Sequence, residues 1–115
     1  MTAEPGALGE VERVVDRGGD ADDVLRDVVA TLHQQLGRFV RISFVENDRL
    51  SPGPAAGEES ETTSVPIEFE GRRVAELELG GAASDDEHAL LERVATLLSP
   101  YALVGWDTGG EEWAP

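Results

Sequence analysis

Phe39-Val40-Arg41-Ile42-Ser43-Phe44-Val45 is where the chain stops reading as helix and starts reading as sheet. Val40, Ile42 and Phe44 alternate with Arg41, Ser43 and Val45. A period of two is the pattern of a strand with one buried face. Upstream the period is helical: Val24, Leu25, Val28, Val29, Leu32 and Leu36 form a continuous apolar stripe. Asp20 is placed to cap that helix, Asp22 and Asp23 put negative charge in its first turn, and Gly37 is placed to end it. Before it, Leu8, Val11, Val14 and Val15 mark a first helix that stops at Gly18-Gly19.

Downstream, Glu46-Asn47-Asp48-Arg49 reads as a turn. A short second strand can start at Leu50, but Pro52 and Pro54 confine it to a sheet edge or cut it off. The seven polar and acidic residues Ala55 to Glu61 read as a loop. Thr62 to Leu79 reads as a hairpin: Val65, Ile67 and Phe69 alternate, Glu70-Gly71 turns, and Val74 to Leu79 returns. Its second strand puts Ala75, Leu77 and Leu79 on one face and Glu76 and Glu78 on the other. The register across the turn stays open, and Pro66 is expected to point its amide away from a partner strand. After Gly80-Gly81, Ser84 and Glu87 have capping-box spacing before Leu90, Leu91, Val94, Leu97 and Leu98. Pro100 is expected to kink this last helix or to restart it behind Ser99. Strands bracketed by helices imply an α+β fold, an antiparallel sheet packed on one face by N-terminal and C-terminal helices.

Composition excludes several chemistries. The chain of 115 residues carries nine arginines, no lysine and no cysteine. Schiff-base and phosphate-loop lysines, thiol redox chemistry and cysteine-ligated zinc are therefore excluded. A net charge of −15 repels phosphate backbones and anionic membranes, so neither nucleic acid nor membrane is an expected partner. The opening Met1-Thr2-Ala3-Glu4-Pro5-Gly6 has no positive charge and no apolar run behind it, so a cytoplasmic location is expected.

The element order resembles the GAF domain family of small sensor domains. Three stretches carry the likeness: Asp23-Val24-Leu25 through Arg38 to Phe44; Gly53-Pro54-Ala55-Ala56-Gly57-Glu58; and Val65-Pro66-Ile67 with Gly71-Arg72-Arg73-Val74-Ala75-Glu76-Leu77-Glu78-Leu79. The second is similar to a turn in the free-methionine-sulfoxide-reductase branch, whose cysteines this chain lacks. The resemblance implies one reduced GAF/PAS-like domain over residues 1–115, with 107–115 an irregular C-terminal tail. It also implies that the usual ligand-covering insert is missing at Ala55 to Glu61, so the reductase activity does not carry over. GAF ligands lie on the sheet face opposite the helices, which the alternation assigns to Arg41 and Ser43. Arg41 could meet an anionic ligand group or an acidic residue of the hairpin, and Thr62, Thr63 and Ser64 could supply hydroxyls. Arg41, Ser43 and Thr63 are thus the candidate ligand residues, the plain alternative being a solvated polar face.

Other features carry less. Asp107-Thr108-Gly109 matches an aspartic-protease tripeptide but lacks the strand-rich setting that lets two such carboxylates share a proton. His33 and His88 have no metal-ligand spacing. Trp106 and Trp113 are costly to leave in water, so they are expected to dock on the domain itself or to form a partner or homodimer contact. No catalytic residue, metal site or cofactor is expected. The resulting expectation is a non-catalytic regulatory or small-molecule-sensing domain acting as a stand-alone protein, with dimerisation through its helices. The alternative is an interaction module that has no pocket and uses its acidic surface or aromatic tail.

Overall fold

Helix formation, strand alternation and turn chemistry meet in the order α1 (Glu4–Arg17), α2 (Ala21–Leu36), β1 (Val40–Glu46), β2 (Arg49–Ala56), β3 (Thr62–Phe69), β4 (Arg72–Gly80) and α3 (Asp85–Asp107). The computed structural model describes residues 4–47 and 49–107, with side chains from 6 to 102. The four strands form one antiparallel sheet in the order β2-β1-β4-β3. Helix α2 lies on β1 and β2, α3 lies on β3 and β4, and α1 packs on both of those helices. The expected α+β arrangement, with helices on one face, is the one observed. Among the described residues no helix is long and apolar enough to cross a membrane.

The core is continuous. Val40, Ile42 and Phe44 of β1, Leu77 and Leu79 of β4, and Val65 and Ile67 of β3 bury their side chains against Leu25, Val28 and Leu32 of α2 and Leu91, Val94 and Leu98 of α3. Full burial of a side chain of this size contributes about 1.5–3 kcal/mol. Gly37 ends α2 at φ 68°, a left-handed position that an L side chain adopts only with strain, and its amide donates to the His33 carbonyl. Asp20 occupies the cap position, but its side chain makes no capping bond; Asp22 instead accepts the Asp23 amide at 3.0 Å.

Two elements depart from the sequence reading. Strand β2 runs through Pro52 and Pro54 to Ala56, so the loop begins at Gly57. It can do so because β2 is an edge strand, where a missing amide donor removes no ladder bond if it faces outward. Pro66 likewise sits in the opposite edge strand, β3. Gly81 donates to the Glu61 carbonyl, and the alternation this sets turns the nitrogen of Pro66 away from β4. Both sheet edges therefore carry proline, which blunts pairing with further strands.

Helix α3 is also continuous through Pro100. The missing amide of Pro100 would leave the Thr96 carbonyl without its helical donor. The Ser99 hydroxyl donates to that carbonyl at 3.1 Å instead. Asp107, the first residue of the expected irregular tail, is the last residue of α3. Residues 108–115 lie outside the described residues.

Candidate functional site

The sheet has an inner face under the helices and an outer face. Register assigns the residues. Arg41 pairs with Ala55 on one side and Glu78 on the other, and Ser43 with Pro52 and Glu76. Ser64 and Pro66 extend these rows onto β3, opposite Glu78 and Glu76. Arg41, Ser43, Glu76, Glu78, Ser64 and Pro66 thus share the outer face. Among the described residues the helices stack on the side of Val40, Ile42 and Phe44, away from Arg41 and Ser43.

Arg41 is the centre of this strip. Its Nε donates to Glu78 Oε1 at 2.7 Å and its Nη1 to Glu59 at 3.0 Å. The guanidinium carbon lies 5.3 Å from the centroid of the buried Phe39 ring, a cation–π distance. Burial opposes the charge on Arg41, but the bonds to Glu78 and then Glu59 more than offset it and hold its pKa above the ordinary arginine value. Of the two acidic partners, Glu78 is 4 % exposed, whereas the Glu59 side chain is 71 % exposed. The first is a fixed partner and the second a solvated one.

The sequence left open whether Arg41 meets a ligand anion or an acid of the hairpin. The structure pairs it with an acid of the hairpin, Glu78, and adds Glu59 from the loop. Ser43 lies on the same face but is 3 % exposed. Thr63 is not brought to this strip. It pairs with Leu79, on the helix-facing side, and its hydroxyl donates to the Gly81 carbonyl at 2.9 Å. Register, which the sequence did not determine, places Ser64 rather than Thr63 beside Arg41 and Glu78. The side chains of Trp106 and Trp113 lie outside the described residues.

Sequence reasoning passed over Arg38. Its Nε donates to the Gly80 carbonyl at 2.9 Å, its Nη1 to Glu87 at 2.7 Å, and its Nη2 to the Ala82 carbonyl. This one side chain ties the entrance of β1 to the β4–α3 link. Glu87 also accepts the Ser84 amide, while Ser84 Oγ accepts the Glu87 amide, which completes the anticipated capping box. The Ser84 amide bond, working against desolvation and aided by Arg38, holds Glu87 below the usual carboxylate range. The only available sequence signal for Arg38 was a cation just after a helix cap, which is too common to single out.

The remaining candidates have local explanations. His33 Nδ1 lies 2.8 Å from the Arg38 carbonyl, and His88 Nδ1 lies 3.5 Å from Glu92. Among the described residues neither joins a metal-spaced group; Asp20, Asp22 and Asp23 converge at the start of α2, where the helix dipole favours negative charge. Two surface recesses lie away from Arg41, Ser43 and Thr63. One of about 410 Å³ lies between β3 and α3, lined by Pro66, Glu68, Glu92, Ala95, Thr96 and Ser99. A smaller one, about 180 Å³, sits at the β3–β4 turn. Leu50, 45 % exposed, is the one large hydrophobic side chain exposed among the described residues.

A four-stranded antiparallel sheet of order β2-β1-β4-β3, with all helices on one face and a polar strip on the other, defines a GAF-like α+β fold. Solved structures bear this out. The GAF domain of an Acinetobacter phosphoenolpyruvate-protein phosphotransferase matches with a TM-score of 0.75 at 10 % identity, covering 95 % of this chain and 98 % of that one. The free methionine-R-sulfoxide reductase of Neisseria meningitidis, in complex with its substrate, matches with a TM-score of 0.76 at 16 % identity, over 91 % of each chain. The A. aeolicus Nlh2 GAF domain, in an inactive state, matches with a TM-score of 0.71 at 12 % identity, over 90 % of this chain and 97 % of that one. No family model matches the sequence, and no curated protein matches it. The similar folds include both GAF domains of larger proteins and an enzyme, so the fold by itself selects neither role.

Proposed function

We propose that this chain is a non-catalytic GAF-like regulatory module that acts through its outer sheet face and acidic surface rather than by enclosing a small molecule. One observation carries this reading: the strip where a ligand floor is expected is filled by its own ion pairs. Arg41 is taken up by Glu78 and Glu59, Arg73 pairs with Glu76 at 2.6 Å, and Ser43 is buried. Among the described residues no helix or long loop roofs that strip. The absence of cysteine and lysine supports the non-catalytic part. A net charge of −15 favours a basic protein surface as the partner and works against a second copy of the chain at low salt.

Small-molecule sensing is the second reading. Its support is the fold shared with a reductase solved with its substrate, and the solvated position of Glu59 beside Arg41. A thermal-shift screen with a metabolite library separates the two. A ligand enclosed by the domain and present at 100 times its Kd adds about 2.7 kcal/mol. For a chain of this size that raises Tm on the order of 10 °C. The surface reading predicts shifts no larger than about 2 °C with 1 mM compound, the size expected from weak, exposed contacts. A reproducible shift of about 10 °C contradicts it.

A further inference from the structure

We propose that the groove between β3 and α3 is a docking site for an arginine side chain carried on a basic segment of a partner protein. The inference rests on the acidic-surface reading above, to which it adds a place and a contacting residue type. The groove, about 410 Å³ in volume, lies off the outer face, at the sheet edge remote from β2.

Charge and hydrogen-bonding capacity choose the occupant. Glu68 belongs to the strand wall and Glu92 to the helix wall. Among the described residues the Glu68 carboxylate has no ion-pair or hydrogen-bond partner: Arg73, across from it on β4, gives its Nη1 to Glu76 at 2.6 Å. Glu92 meets His88, whose Nδ1 is 3.5 Å away, at the outer limit of a hydrogen bond. The Thr96 hydroxyl donates to the Glu92 carbonyl and the Ser99 hydroxyl to the Thr96 carbonyl, both at 3.1 Å. Their protons are thus spent within α3, and only lone pairs remain for a ligand. Pro66 has no amide proton. Its nitrogen points away from β4, so its carbonyl does too, at an edge where no strand pairs with it. The side chains lining the groove therefore offer acceptors and two negative charges, but no donor.

A guanidinium brings five donors in one plane and no acceptor, against three donors on an ammonium. Five planar donors suit acceptors spread over two walls, which selects arginine over lysine. Pro66 and Ala95 supply apolar surface for the arginine methylenes. Pro66, Glu68, Glu92 and Thr96 are exposed and Ala95 is buried, so the groove covers one side of a ligand and leaves the other open. A free small cation would stay largely in water there, whereas small-molecule sites bury most of their ligand. An arginine borne on a chain adds main-chain contact, beginning with the outward Pro66 carbonyl. Because Pro66 cannot donate in return, the partner docks by its side chain and not as an added strand.

The test titrates ¹⁵N-labelled full-length protein, at constant ionic strength, with the blocked tripeptide acetyl-Gly-Arg-Gly-amide. The amides of Glu68, Glu92 and Ala95 are followed. Saturable shifts are expected with a Kd on the order of millimolar, as for one exposed charge-assisted contact. Glu68→Gln combined with Glu92→Gln should weaken binding at least about ten-fold, by loss of hydrogen bonds to charged groups. Glu58→Gln combined with Glu61→Gln removes the same charge from the 57–61 loop and should weaken it less than about two-fold, since that distance is screened. Acetyl-Gly-Lys-Gly-amide and propylguanidinium should each bind more weakly than the arginine peptide.

Absence of a saturable shift up to about 100 mM peptide overturns the proposal. Equal weakening by the two charge-removing pairs also overturns it, by reducing the groove to general attraction, and leaves the acidic-surface reading standing. Lysine binding as tightly as arginine overturns the choice of residue. Propylguanidinium binding as tightly as the peptide makes a free small cation the occupant and overturns the protein segment. A metabolite that raises Tm by about 10 °C contradicts the acidic-surface reading instead. Retention of the amide spectrum in both double variants shows that lost binding is not lost folding.

Discussion

Arg41 and Glu78 face each other across the β1–β4 ladder, and both Nε and Nη2 of the guanidinium reach the same Glu78 oxygen at 2.7 Å. Glu78 is almost wholly buried, so it has no alternative partner in water. Removing only one member of such a pair leaves a buried charge uncompensated, whereas removing both does not. The pair therefore locks the outer face of the sheet more than it adds net stability. In the proposed surface reading, that lock is what separates this face from an open ligand floor.

Gly53 sits in the irregular part of β2, between the paired positions Ala55 and Pro52. A Cβ there would lie 2.4 Å from Phe44 Cε2 and 2.6 Å from the Ile42 carbonyl oxygen. The carbonyl is backbone and cannot swing aside, and Phe44 is in the core. Gly53→Ala is expected to destabilise the protein by roughly 1–3 kcal/mol, the usual cost of overpacking. Urea unfolding checks this, with a lower midpoint at unchanged slope.

Glu87 links stability to pH. Its folded-state pKa lies below the reference of 4.5, first through the Ser84 amide bond and then through Arg38. Its stabilising contribution is therefore complete above pH 4.5 and is lost as pH falls through the lower folded value. Glu87→Ala should cost about 1 kcal/mol at pH 7, as for a lost helix cap. The gap between variant and parent should stay constant down to about pH 5 and narrow below it. Thermal melts of the two proteins from pH 7 to pH 3 measure the gap; one that widens on acidification refutes the assignment.

Arg38 joins segments that are far apart in sequence through two backbone carbonyls and Glu87. Arg38→Ala leaves those carbonyls without their donor and is expected to cost roughly 1.5–3 kcal/mol, the range for hydrogen bonds to a charged group. Because the anchor holds the Gly80–Ser84 link, amide hydrogen exchange should accelerate there before it does so in the middle of β4. Uniform acceleration would show that the anchor is not local.

The parts of the fold that were legible in the sequence are those set by local chemistry. Gly37 closes α2, Glu70-Gly71 turns between Phe69 and Arg72, and Ser84 with Glu87 caps α3. Each depends on residues a few positions apart. What was not legible depends on distance. Register decides that Thr63 lies on the helix side, and no local pattern across Glu70-Gly71 sets it. The proline-bearing β2 persists because it is an edge, which is known only once the strand order is known. Ser99 rescues the Thr96 carbonyl at Pro100 through a rotamer that a sequence does not specify. Arg41 was legible as an outward-facing cation, but Glu59 as its second partner was not, because the loop path sets that contact.

The central claim is that Arg41 is committed to Glu78 and so closes the outer face. A double-mutant cycle with Arg41→Met, Glu78→Met and the double variant, measured by urea unfolding, tests it most directly. Glu78 left alone should make Arg41→Met costly, roughly 3–5 kcal/mol, and the double variant should recover a large part of that loss. The predicted coupling is at least about 1.5 kcal/mol, above the range of independent sites. Additive single effects, with a coupling within about 0.5 kcal/mol of zero, would show that the two residues act separately and would contradict the account.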